Sequence, residues 1–116
     1  MTNWLISWKT WWEDQIDTPW PFQLIEHTSD FKKRKTGEKV SEDYVDSVYL
    51  SGNEDVALQF EKNYISAVVL ATMIDADTAE SASASIKSVF PDAEIVSVVV
   101  VPDEFVDYVS NQLKSV

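Results

Sequence analysis

The chain has 116 residues, with 20 acidic against 9 basic side chains, a net charge of −11, no cysteine and only two glycines. That length fits one domain, residues 1–116, with a single real core. Disulfides, thiolate metal sites and cysteine nucleophiles are excluded by the cysteine count, Gly-rich phosphate loops by the glycine count, and duplex nucleic acid is repelled by most of such a surface. No stretch reaches the roughly 18 consecutive apolar residues that span a bilayer. Met1 is not followed by a basic region and a clean apolar run. The expectation is a soluble cytoplasmic protein with no membrane partner.

The first stretch, NWLISWKTWWEDQ (3–15), fits either a helical stripe or a strand. Its Trp, Ile and Thr content favours a strand, with Trp4, Ile6, Trp8 and Trp12 on one face. Residues 17–29 carry two prolines and exclude one regular helix. Five of the nine basic residues, Lys32, Lys33, Arg34, Lys35 and Lys39, fall in 29–40, which reads as a charged loop, a solvated one or a patch for phosphate or an acidic partner. SEDYVDSVYL (41–50) is open between a helix capped by Ser41 and a strand, with the helix preferred. In VALQFEKNYI, Val56, Leu58 and Phe60 alternate with polar residues, so 56–61 is predicted to be a strand. Lys62-Asn63 would turn it into an antiparallel partner, YISAVVLATMI (64–74).

Next, DADTAESASASIKSVF (75–90) predicts a helix, with Asp77 as N-cap, Glu80 three residues on, and Pro91 as its stop. IVSVVVV (95–101) is a strand that is apolar on both faces: Val96, Val98 and Val100 on one, Ile95, Val99 and Val101 on the other. A terminal helix from Asp103 would bury Phe105, Val106, Val109 and Leu113.

This order predicts an α+β domain: a ferredoxin-like split β-α-β antiparallel sheet with helices on one face and an extra C-terminal helix. On strand 64–74, Ile65, Ala67, Val69, Ala71 and Met73 would accept a close helix. Tyr64, Val68, Leu70 and Ile74 would then lie on a bare face, larger than monomers leave open. A second copy facing it would give a homodimer with a shared barrel-like core. Alternatively, the Trp-rich N-terminus and the 102–116 helix fold back over it.

The pattern of residues 56–101, with the junction IDADTAESASASI, resembles the dimeric ferredoxin-like α+β barrel superfamily, which includes antibiotic-biosynthesis monooxygenases and stress-responsive barrel proteins. The resemblance implies a dimeric α+β barrel and, as one possibility, a cofactor-independent monooxygenase or isomerase acting on an apolar small molecule. It brings no catalytic motif with it, and the first 50 residues depart from the pattern.

Among the residues themselves, His27 is the single histidine and the natural general base near neutral pH. Its neighbour Glu26 projects elsewhere in an extended segment. Five tryptophans fall within the first 20 residues. They suit core and dimer contacts, or a cavity for a flat apolar ligand in which Trp4, Trp8, Trp12 and Tyr64 take part. No cofactor or metal-site spacing occurs. The functional expectation is therefore association or binding through the sheet. Enzymatic action in a Trp-lined cavity, with His27 handling a proton, is the alternative. An acidic mimic of nucleic acid that occupies a basic partner is a weaker one.

Overall fold

Residues rich in Trp, Ile and Thr form β1 (Thr2–Trp11), and residues rich in Val, Ile and Ala form β4 (Tyr64–Ala76). The computed structural model describes residues 2–13 and 16–114. It pairs the two strands antiparallel without interruption, from Thr2 opposite Ala76 to Trp11 opposite Ala67. Three further strands, β2 (Phe22–Lys33), β3 (Lys39–Val40) and β5 (Glu94–Val101), complete a five-stranded sheet of order β3-β2-β4-β1-β5, antiparallel at every junction. Four helices accompany it: α1 (Glu42–Leu50), α2 (Glu54–Asn63), α3 (Ala79–Val89) and α4 (Val106–Lys114). The class is α+β. Strands β4 and β5 both oppose β1 and so run parallel on either side of it, joined through α3.

The main core forms where α3 crosses the sheet. Ile6 and Trp8 of β1, Val68, Leu70 and Ile74 of β4, and Ala82 and Ile86 of α3 are all buried together. Each large member contributes about 1.5–3 kcal/mol on leaving water. Trp4, Trp12, Ile16 and Trp20 pack around the rim of the same cluster. The face expected to lie bare is thus filled from within the chain, and Val68 and Leu70 are 0% exposed. The alanine-bearing face receives a helix, as expected. Helix α4 packs against β2 and β4. Alternation along β4 puts it opposite α3, over buried Val69 and Ala71. Helices therefore lie on both faces. A face-to-face dimer loses the exposed apolar surface that motivated it.

A second, smaller core lies at the other end of the sheet. Val45 and Val48 of α1 and Phe60 of α2 are buried with Phe31, Val40 and Tyr64 around them. Phe60 stacks on Tyr64 with ring centroids 4.4 Å apart and 14° between planes, and meets Phe31 at 5.0 Å. Two cores in line make the molecule long: 50 × 26 × 22 Å, with a radius of gyration of 16.5 Å against about 13 Å for a compact chain of this size.

Several expectations need correction. Residues 56–61 are helical. Asn53 caps α2, its Oδ1 accepting from the amides of Asp55 and Val56 at 3.0 and 3.4 Å. Phe60 faces inward while Leu58 remains 55% exposed, so the period-2 alternation was coincidental. The hairpin turn expected at Lys62-Asn63 is the end of that helix, which passes into β4 without a loop. The 41–50 segment is a helix, with Ser41 Oγ accepting from Tyr44 N. The charged 29–40 segment is the β2–β3 hairpin, turned at Gly37 with φ of 73°, whose amide donates to Lys33 O at 2.8 Å. Thr78, rather than Asp77, caps α3, because β4 still pairs at Ala76. Asp103 makes no cap; it begins a 3-10 turn (Asp103–Phe105), and α4 starts at Val106. Leu113 is buried as expected, while Phe105 is 52% exposed. Asp14 and Gln15, at the end of the first predicted strand, lie outside the described residues.

The separation of the cores has a measurable consequence. Phe60→Ala removes the centre of the smaller cluster and costs about 3–5 kcal/mol. Native-state hydrogen exchange should then show α1 and α2 losing protection while the amides of β1 and the β4 centre keep theirs.

Candidate functional site

His27 sits where β2 breaks step with β4. His27 lies opposite Val68 and Phe31 opposite Ser66, so Thr28, Ser29 and Asp30 face Ala67 alone. The irregularity is held from inside: Thr28 Oγ1 donates to Ala67 O at 2.7 Å and accepts from Asp30 N at 3.2 Å. Lys9 pairs with Asp30 across it. Bulges of this kind bend a strand and re-aim its side chains. Just beyond β1, Trp12 donates its amide to Ser66 O at 2.8 Å and sets its ring edge-on to His27, with centroids 6.3 Å apart at 68°.

Between this bulge and the helical lobe lies a cleft of about 380 Å³. Trp12, His27 and Thr28 line one side, Tyr49 of α1 and Glu61 of α2 another, with Phe31, Tyr64 and Ile65 between them and Arg34 from the hairpin turn. The structure therefore brings together three of the five residues singled out in the sequence: His27, Trp12 and Tyr64. It does not bring Trp4 and Trp8 with them. Trp8 is 0% exposed, lies against Phe90 at 5.0 Å, and its indole nitrogen finds no hydrogen-bond partner among the described residues. Trp4 donates its indole N–H to Ala76 O at 3.0 Å. These two belong to the main core.

Sequence reasoning places Arg34 only within the basic 29–40 segment, and it missed Tyr49 and Glu61. Only the folding of 54–63 as a helix brings Glu61 to Tyr49, whereas alternation over 56–61 predicts a strand. The Tyr49 hydroxyl donates to Glu61 Oε1 at 3.5 Å. Burial, then the negative charge of Glu61 and this hydrogen bond, raise the Tyr49 phenol above its ordinary value of 10.0. A larger hollow of about 470 Å³ shares Tyr64, but its other walls come from α1 and α2 and its one charged side chain is Asp55. Among the described residues no three His, Cys, Asp or Glu side chains converge as a metal site, and no helix is long and apolar enough to cross a membrane. Compared with protein-family models, curated proteins and solved structures, the chain finds no match in any of the three.

The raised phenol fixes the sign of a pH effect. The folded chain holds the Tyr49 proton after the unfolded chain has released it. Stability linked to this group is full below pH about 10 and falls as pH rises through the folded value. Glu61→Gln should lower the alkaline end of the phenolate absorbance titration. Tyr49→Phe should remove that end altogether.

Proposed function

We propose that this chain is a small association module of ferredoxin-like type, whose working surface is the open edge of β5, and that it pairs there with a second copy. The ferredoxin-like reading rests on β4 and β5 flanking β1 in parallel with α3 between them in sequence. The chain departs from that plan in having no helix among the described residues between β1 and β2, and in inserting β3, α1 and α2 before β4.

The observation that carries the reading is β5 itself. It ends the sheet, so one side of its backbone has no partner strand among the described residues. Its pairing with β1 shifts between Ser7 and Trp8, leaving Val96 as an extra residue. Ile95 thereby joins Val98 on the α3 side, which accounts for part of its two-faced apolar character. The rest stays in solvent: Val96, Val99 and Val100 are 58%, 55% and 49% exposed. Val99 lies opposite Leu5 and Val100 opposite Trp4, so the exposed valines occupy both faces of the edge.

Natural edges are blunted by charge, proline or cover. From Ile95 to Val101 this one has neither charge nor proline. A strand added alongside would extend both layers and cover both sets of valines, which a lid on one face would not. Phe105 and Tyr108, 52% and 65% exposed just beyond the strand, enlarge the apolar surface to the order of several hundred Å². An antiparallel β5–β5 pair is isologous and closes on itself. It brings Glu94 of each copy toward the acidic Asp103–Glu104 end of the other, so screening by salt should strengthen it.

Sedimentation velocity should show a concentration-dependent dimer that is favoured at higher salt. Val99→Lys should weaken it at least tenfold, about 1.4 kcal/mol, with the melting temperature of the monomer little changed. A wild-type chain that stays monomeric at every concentration and salt, or a Val99→Lys chain that dimerises equally well, defeats the reading.

A further inference from the structure

The cleft beside His27 lies on other elements than β5, and its chemistry points to a ligand of its own. Trp12, Phe31, Tyr49 and Tyr64 surround it with aromatic rings over a floor that includes buried Ile65. Its volume of about 380 Å³ falls at the lower end of the range for small-molecule sites, roughly 300–1,000 Å³. Among these rings stands one cation without a counter-ion among the described residues. The ion pairs among the described residues are Lys9–Asp30 and Lys33–Glu38, and Arg34 takes part in neither. The Arg34 backbone is anchored, its amide donating to Asn63 O at 3.0 Å, so the side chain leaves from a fixed point beside the cleft. The one carboxylate in the wall, Glu61, already accepts from Tyr49.

The wider field agrees. Residues 32–39 hold five basic side chains and one acidic one, a charge of +4, so the remainder of the chain carries −15. An anion is repelled nearly everywhere on this protein and attracted at the hairpin. A guanidinium presents a planar fork that matches a carboxylate. A doubly charged phosphate ester would meet Glu61 at close quarters, which favours a single negative charge.

We propose that this cleft binds a planar aromatic monoanion, with its ring system among Trp12, Phe31, Tyr49 and Tyr64 and its carboxylate on Arg34. Naphthoate is a suitable probe and naphthamide its neutral counterpart, followed by the indole N–H signal of Trp12 and the backbone amides of Tyr64, Ile65 and Ser66. Naphthoate should bind saturably and shift those signals, and naphthamide should bind at least tenfold more weakly. Arg34→Gln, a change at an exposed turn position, should reduce naphthoate to the affinity of the amide. Lys87→Gln on α3, an equal change in net charge elsewhere, should not. Naphthyl phosphate should bind more weakly than naphthoate and gain in Glu61→Gln. Val99→Lys should leave naphthoate binding intact, so failure of the edge pairing and failure of this site are read separately. The proposal is overturned by absence of saturable naphthoate binding, by equal affinity for acid and amide, by equal effects of Arg34→Gln and Lys87→Gln, or by shifts centred on α4 and β5.

Discussion

Strand β4 buries both of its faces at once, and the rest of the molecule is arranged around that demand. It is the longest element, 13 residues, and from Ala67 to Thr72 every side chain is buried. Its large residues, Val68, Leu70 and Ile74, need partners of matching volume, and they receive Trp8 and Ile6 from β1 and Ile86 from α3. Its smaller residues on the other side, Ala67 and Ala71, leave room for whole elements to come close. Helix α4 fills one end of that side. At the other end, Trp11 lies directly opposite Ala67 with Lys32 Nζ 4.6 Å from its ring centroid.

Much of this was legible. The strand character of 3–11 and 64–74, the helix ended by Pro91, the strand of valines and the terminal helix all follow from residue type and period. The expectation that fails is that every helix shares one face: α3 covers Val68 and Leu70, on the face expected to lie bare, and the terminal helix takes the other. Helix α3 is itself built of small residues, Ala79, Ala82 and Ser83 among them, so it can settle on large neighbours. The two-faced β5 was read as a strict alternation, but one extra residue at Val96 resets the phase, and no local composition announces a bulge. The segment 54–63 shows the same weakness. Val56, Leu58 and Phe60 fit a strand by alternation, while Asn53 and the run of helix-forming side chains decide for a helix.

The candidate site was legible only in fragments. Trp12, His27 and Tyr64 stood out by type. Their convergence depends on a three-against-one slip in β2 and on the helical lobe closing the other wall, neither of which has a signature in the residues alone. Trp4 and Trp12 look the same in sequence and both pack on the rim of the main core, but Trp12 lies just past the end of β1 and so reaches the cleft as well.

The passage from α2 to β4 has no intervening residue: Asn63 closes the helix and Tyr64 opens the strand. The amide of Arg34, bonded to Asn63 O, stitches the hairpin to the same point. The helical lobe thus joins the end of the central strand through two backbone links, one covalent and one hydrogen-bonded, so a shift of α2 acts first on the opening residue of β4.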